Sequence, residues 1–225
     1  MPYGIKTIFQ TKIDETSDTD LEEIGTIRWE GDKVYKWVKG AVSTVVPRYG
    51  SVAAYYDDDY DDSLVTSKYA DSDNLGAGVW QANFTNSQHY GWIQIKGPCV
   101  IPGAVTDGAA GNAMTIVGAD DRTLDVMAAA TSYPVATLLD ATAPITKGAC
   151  YTVQGSKVIS MNSTASLVVG DTVFGSAVHP IAPFSVIVSI DAVAKTITMD
   201  KAAVGTENNV DIVFCRQKIM CDFPF

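Results

Sequence analysis

The sequence predicts an all-β fold: an antiparallel β-sandwich or barrel domain with an extended N-terminal arm and a smaller C-terminal β module. Of its 225 residues, 47% are hydrophobic and 19% are charged, which is typical of a globular chain with a sizeable core. Eighteen glycines and nine prolines separate stretches rich in valine, isoleucine and threonine. Helix-forming runs of Leu, Glu, Lys and Arg are nearly absent, and a strand–loop–strand pattern occurs twice.

The repeated pattern indicates hairpins. Its first copy covers residues 78–84 and 90–97, and its second copy covers residues 134–140 and 148–155. In each copy an apolar strand is followed by a loop of small residues and then by an alternating strand that ends at glycine. We therefore expect two antiparallel hairpins built on one plan, the first of them richer in aromatic residues.

The first 24 residues are polar and irregular, apart from the short apolar pair Ile8-Phe9. Thr19 followed by Glu22 has the spacing of a capping box, which predicts one helical turn that reaches Ile24. The run 14–20 is too charged to be buried. We expect an arm, extended or loosely packed, of the kind that a neighbouring molecule often orders.

The next segment carries the clearest hairpin signal. Residues 26–30 and 33–39 alternate apolar and polar side chains, and Gly31-Asp32 between them is a two-residue turn signal. The period of two places Ile27 and Trp29 on one face of the first strand. Tyr35 and Trp37 share one face of the second strand in the same way.

Further short strands follow along the chain, and a new pattern of alternating strands starts at Ser156. This change predicts an approximate domain boundary near residue 156 and divides the chain into three regions. The regions are an N-terminal arm at 1–24, a main β domain with the repeated hairpins at 25–155, and a C-terminal β module at 156–225.

Charge and hydropathy exclude several classes of function. The net charge of −10 and the scattered basic residues argue against a nucleic-acid partner, because phosphate contacts need clustered Lys and Arg. No apolar run approaches the length of a membrane span. The N-terminus lacks the pattern of a secretory signal, so we expect a protein made and assembled in a cytoplasm.

Four cysteines occur, at Cys99, Cys150, Cys215 and Cys221. Their even number permits two disulfides, but the spacings are wide and no C-x-x-C pair is present for zinc or redox chemistry. Cys150 and Cys215 lie in apolar strands, where small buried thiols are expected. Four reduced cysteines are the favoured state, and pairing stays open.

The strongest charge run is 57–62, in which Asp57, Asp59 and Asp61 have the one-three-five spacing of a calcium loop. An EF-hand also needs glycine at its sixth position and a carboxylate at its twelfth, and the chain has Asp62 and Lys68 there. Three interpretations stay open: a solvated acidic loop, an electrostatic docking patch, and a looser calcium site.

The sequence offers no catalytic constellation. His89 and His179 lie far apart in predicted loops, and neither has a metal-ligating residue at the usual spacing. There is no G-x-S-x-G nucleophile motif, and no glycine-rich phosphate loop with a following lysine. We therefore expect no enzyme activity, no catalytic residue, no cofactor and no metal site.

The four tryptophans, Trp29, Trp37, Trp80 and Trp92, all lie on alternating strands. They could fill a β core. Alternatively, two or more of them could form an exposed platform for a sugar or a partner protein. The second case would make the chain a carbohydrate-binding or host-attachment β module.

Three motifs carry a resemblance to a known family. They are Tyr-Gly-Trp-Ile-Gln-Ile-Lys-Gly at 90–97, the hairpin at 25–36, and the stretch 169–174 taken together with 190–203. The first two resemble motifs in head decoration (capsid cement) proteins of tailed bacteriophages. The third is similar to β modules that are frequent in phage structural proteins.

The resemblance implies a structural virion protein on the capsid exterior. Many copies would bind the outer surface of the capsid and bridge neighbouring major capsid subunits, as a homo-oligomer for which a trimer is favoured. The arm and the first hairpin are the expected contact with the major capsid protein, and neither nucleic acid nor membrane is an expected partner. The residues predicted to bind the partner are Ile5, Ile8, Phe9, Ile13, Leu21, Trp29 and Trp37.

Overall fold

The computed structural model describes residues 8–56, 63–102, 105, 108–116, 121, 123–127, 134–175 and 181–224. Within these ranges the chain forms β-strands and one short 3₁₀ turn at Tyr69–Asp71, and no α-helix. The predicted all-β fold is therefore confirmed. None of the described helical residues forms a helix that is long and apolar enough to span a bilayer.

The strands are numbered in chain order. They are β1 (Thr16–Ser17), β2 (Ile27–Glu30), β3 (Lys33–Gly40), β4 (Val52–Tyr56), β5 (Leu64–Thr66), β6 (Ser72–Trp80), β7 (Tyr90–Val100), β8 (Ala113–Thr115), β9 (Asp125–Val126), β10 (Ala136–Asp140), β11 (Ile145–Thr152), β12 (Val158–Ser160), β13 (Thr172–Gly175), β14 (Ile187–Asp191), β15 (Thr196–Met199), β16 (Glu207–Cys215) and β17 (Lys218–Asp222).

The chain divides into two compact units. The first unit takes the chain up to Ala141 together with Lys218–Phe225, and the second unit takes Thr142–Gln217. The boundary expected near residue 156 therefore falls inside the second unit. The C-terminal strand β17 belongs to the first unit, because it pairs with β7 on one side and with β10 on the other.

A closed ring of five strands forms the centre of the first unit. The strands follow the order β3-β5-β4-β6-β7, and β7 pairs back onto β3. All of these pairs are antiparallel except β3–β5, which is parallel. β2 extends the sheet beyond β3, while β17, β10, β8 and β9 extend it from β7.

The ring encloses an apolar core in which aromatic and aliphatic side chains interlock. Trp80 and Phe84 meet edge to face with ring centroids 4.5 Å apart. The ring of Phe84 also packs on Gly91, where an added Cβ would lie 2.6 Å from the Phe84 Cζ. Any larger residue at position 91 would therefore have to displace the Phe84 ring.

The second unit is also a closed barrel. Its six strands follow the order β13-β16-β11-β12-β15-β14. A bridge between Thr172 and Val186 joins the two ends, supported by the hydrogen bond from the Val173 N–H to the Ser185 carbonyl at 2.8 Å. Its core contains Cys150, Ile159, Met161, Leu167, Val173, Ile181, Ile187, Ile197, Met199, Ala203, Ile212 and Phe214.

The first predicted repeat hairpin is formed, because β6 pairs with β7 through Val79↔Gln94 and Trp80↔Ile93. The second predicted hairpin is wrong. β10 pairs with β8 and β17 in the first unit, whereas β11 pairs with β12 and β16 in the second. An alternating pattern predicts a strand but does not determine which strand it pairs with. The two strands do not pair because the boundary between the units falls in the loop between β10 and β11.

Candidate partner-binding surface

The predicted first hairpin is confirmed as β2–β3. Its register pairs Glu30 with Lys33 and Trp29 with Val34 across a turn in which Gly31 has a φ of 62°. Glycine favours this left-handed conformation, so the two-residue turn forms without strain. The hairpin therefore holds Trp29 at a fixed position on β2, at one end of the sheet order.

The four tryptophans divide into two classes. Trp37, Trp80 and Trp92 are fully buried, whereas the side chain of Trp29 is 66% exposed. The core interpretation is therefore confirmed for three of them. The face of two or more exposed tryptophans that a sugar platform requires is not formed.

Residues 8–24, which we call the N-terminal layer, pack against the outer face of the ring. Strand β1 in this layer pairs with β7 through Thr16↔Gly91 and Ser17↔Tyr90. The expected helical turn at Thr19–Ile24 is absent, because the Asp20 carboxylate instead accepts a hydrogen bond from the Ile24 N–H at 3.0 Å. The described part of the predicted arm is therefore packed against the ring through β1.

A buried polar chain fixes the N-terminal layer in place. The Trp92 Nε1–H donates to Thr11 Oγ1 at 2.9 Å. The backbone N–H and the hydroxyl of Thr11 both donate to Glu22 Oε1, at 2.6 and 2.8 Å. Glu22 is fully buried, and these charge-assisted hydrogen bonds offset part of the cost of removing its carboxylate from water.

A second set of contacts joins the layer to the hairpin. The Trp37 Nε1–H donates to Asp20 Oδ1 at 2.9 Å, and Arg28 donates to the Thr11 carbonyl at 2.9 Å. The Arg28 guanidinium also lies 4.7 Å from the centroid of the Phe9 ring. Phe9 in turn meets Trp92 edge to face at 5.5 Å. Hairpin and layer therefore form one packed body.

The seven residues predicted to bind a partner occupy different environments. Ile8, Leu21 and Trp29 are exposed by 81%, 39% and 66%. Phe9 is half-buried under Arg28, and Ile13 and Trp37 are buried within the unit. Ile5 lies outside the described residues. Ile13 and Trp37 are thus used in packing the chain itself, because the N-terminal layer folds back onto the ring.

Sequence reasoning missed the residues that hold the layer. Thr11, Asp20 and Glu22 stand in a polar stretch that suggested solvent exposure, and their partners are distant in sequence. Thr11 and Trp92, for example, are 81 positions apart. Local patterning contains no signal for a contact of that range.

The remaining candidate site residues are the acidic run 57–62, the two histidines and the four cysteines. The acidic run 57–62 and His179 lie outside the described residues, so the three interpretations of that run stay predictions. The His89 Nδ1 atom is buried without a hydrogen-bond partner in the described structure. No group of three metal-ligating side chains occurs among the residues that the structure describes. All four cysteines are buried, and none of them forms a disulfide in the described structure.

The three motifs that carry the family resemblance fall on well-formed elements. The motif at 90–97 lies in β7, the motif at 25–36 spans the β2–β3 hairpin, and the third motif lies in the barrel of the second unit. Comparisons of the chain with protein-family models, with curated proteins and with solved structures found no match.

Proposed function

We propose that the chain is a structural virion protein that binds the outer surface of a phage capsid and stabilises contacts between major capsid subunits. It would act as a homo-oligomer, with a trimer favoured. The observation that carries the proposal is Trp29, which is two-thirds exposed on a hairpin held by internal packing. The family resemblance supplies the class of partner.

Trp29 has the properties of an interface anchor. A tryptophan side chain buries 150–250 Å² in an interface, so covering the exposed part of Trp29 would contribute about 2 to 4 kcal/mol. Its neighbour Arg28 is held by the Thr11 carbonyl and by the Phe9 ring. Because the strand is already ordered, binding loses little conformational entropy there.

The net charge supports the same proposal. A chain with a net charge of −10 is attracted to basic protein surfaces, which speeds encounter with them at low ionic strength. An oligomer presents several copies of Trp29 at once. Modest single contacts then add through multivalency, so a cement protein does not need a deep interface.

The test is co-sedimentation of the purified chain with empty heads of a tailed phage that encodes it. We expect the wild-type chain to pellet with the heads, and Trp29→Ala to weaken binding by roughly thirtyfold to several hundredfold. The matched control is Val193→Ala, which removes a 95% exposed apolar side chain from the second unit and should bind normally. A wild-type chain that stays in the supernatant contradicts capsid binding.

The contribution of the N-terminal layer needs point variants. Deleting residues 1–24 would uncover Trp37 and Trp92, so lost binding could reflect lost folding. Ile8→Ser and Leu21→Ser change exposed side chains and should leave the thermal midpoint unchanged. Reduced binding by either variant extends the interface to the layer, and full binding by both confines it to the hairpin.

A further inference from the structure

Two of the four cysteines are neighbours in space. Cys99 lies on β7 opposite Ile219, and Cys221 lies on β17 opposite Gly97. Residues two apart on a strand share a face, so Cys99 and Cys221 are diagonal neighbours on one face of the sheet. Both side chains are buried, with 5% and 3% exposure.

The surroundings of the pair make its two thiols unequal. The Gln81 side-chain amide donates to Cys99 Sγ at 3.9 Å. The adjacent Cys221 thiol, together with nearby Lys33, lowers the pKa of Cys99, whereas burial raises the pKa of Cys221. Cys99 is therefore the first of the two to form the thiolate, which is the reactive species in thiol–disulfide exchange.

The other two cysteines, Cys150 and Cys215, lie too far apart to pair with each other. Cys150 lies on β11 opposite Val210, and Cys215 lies five residues further along β16. Five residues of strand correspond to about 16 Å, which is beyond the reach of a disulfide. Cys150 donates to the Lys147 carbonyl at 3.2 Å, and Cys215 Sγ accepts from the Gln217 N–H at 3.2 Å.

We propose that Cys99 and Cys221 are a redox-active pair that closes to an intramolecular disulfide in an oxidising medium. With oxidised glutathione, the Cys99 thiolate attacks one sulfur and releases one glutathione thiolate. The Cys221 thiolate then attacks Cys99 in the mixed disulfide and releases the second. Two protein thiols and one glutathione disulfide become one protein disulfide and two glutathione thiols, so two electrons pass to glutathione.

The disulfide would act as a covalent lock on the first unit. It joins β7 to β17, and the covalent loop of chain that it closes contains the whole of Thr142–Gln217. Cross-links that close long loops restrict the unfolded chain most, in the chain-entropy account. The proposal does not depend on capsid binding, because both thiols belong to one chain.

The test is refolding of the full chain from denaturant in buffer with excess oxidised glutathione, so that burial of the thiols does not limit access. We expect a product with two free thiols and a mass 2 Da lower than the reduced chain. Peptide mapping should link the peptides of Cys99 and Cys221. The thermal midpoint of the first unit should rise by about 5 °C or more, and dithiothreitol should reverse the rise.

Matched variants separate this pair from the others. The double variant Cys150→Ser, Cys215→Ser should oxidise as the wild type does, whereas Cys99→Ser and Cys221→Ala should form no intramolecular disulfide. If the wild-type chain keeps four free thiols after equilibration, or if its disulfide maps to another pair of cysteines, the proposal is overturned. This wild-type result decides the question even if a variant fails to fold. A Cys99–Cys221 disulfide that leaves the thermal midpoint unchanged would contradict its proposed stabilisation of the first unit.

Discussion

Thr11 makes more buried hydrogen bonds than its place in a polar stretch suggests. Its hydroxyl accepts from the indole of Trp92 and donates to Glu22, and its carbonyl accepts from Arg28. A single small side chain therefore joins the N-terminal layer to β7, while its backbone joins the layer to the hairpin. At the scale of the residue, the fold is fixed by polar groups that are satisfied only by distant partners.

Replacing Thr11 by valine tests this role, because the two side chains have almost the same shape. Thr11→Val should lower the free energy of unfolding by about 1 to 3 kcal/mol, since the Trp92 indole and the Glu22 carboxylate each lose a hydrogen bond inside the protein. Urea titration followed by tryptophan fluorescence measures the loss. Thr44→Val, at an exposed position, is the control and should change stability by less than about 0.5 kcal/mol.

Cys150 predicts a pH dependence. Burial raises the pKa of this thiol from its ordinary value of 9.0 to about 11 in the folded chain. Between these values the unfolded chain releases the thiol proton and the folded chain keeps it. Stability therefore is full below pH 9 and falls as the pH rises towards 11, by about 1 to 3 kcal/mol for two pKa units.

The measurement is the free energy of unfolding of the isolated barrel Thr142–Gln217 from pH 7 to pH 11. The Cys150→Ala variant should be less stable at pH 7, because it leaves a cavity, but its stability should fall less steeply above pH 9. If the free energy of unfolding falls equally steeply above pH 9 in both proteins, a group other than Cys150 causes the loss of stability at alkaline pH.

At the scale of the element, β7 organises the first unit. Its eleven residues pair with β3 along one edge and with β1, β6 and β17 along the other. Gly97 within it has a φ of +91°, and an added Cβ would lie 2.3 Å from the Asp32 carbonyl oxygen. The strand can approach the hairpin turn this closely only because residue 97 is glycine.

Gly91 provides the matching test on the same strand. Gly91→Ala places a methyl group against the Phe84 ring and should lower the free energy of unfolding by about 1 to 3 kcal/mol through overpacking. The control is Gly148→Ala, whose nearest neighbour is the movable Asp211 carboxylate at 3.1 Å. Equal stability of the two variants in urea titration would mean that Phe84 moves aside freely.

At the scale of the whole molecule, the chain completes its first unit only with its last residues. β17 lies between β7 and β10, and Ile219 and Phe223 are buried in the first core. The second unit is inserted between β10 and β17 and closes its own barrel. Folding of the first unit therefore joins segments that are about 80 residues apart, which slows it relative to the second.

Truncation separates the two units. The fragment Thr142–Gln217 should fold alone, with a cooperative thermal transition and dispersed amide resonances, because its barrel and core are complete. A chain that ends at Gln217 should keep this transition and lose that of the first unit, which lacks β17. Retention of both transitions after truncation would show that β17 is dispensable.

Part of this architecture follows directly from the chain. The alternation in β2 and β3, and the turn at Gly31, predicted all four ends of the first hairpin to within one residue. For the candidate surface, patterning found Trp29 but grouped it with Trp37, which is buried. The difference arises because residues 8–24 cover one face of β3, and an alternating pattern cannot show that both faces of a strand are covered.

The sequence by itself determined the strand content, the positions of the tight turns and the apolar faces, because these depend on neighbouring residues and on a period of two. Only the tertiary structure decided which strands pair, as β10 and β11 show, since pairing compares segments that are far apart along the chain. It also decided that Glu22 is buried and that Cys99 and Cys221 are diagonal neighbours on adjacent strands. Such contacts exist only once the barrels have closed and brought distant strands together.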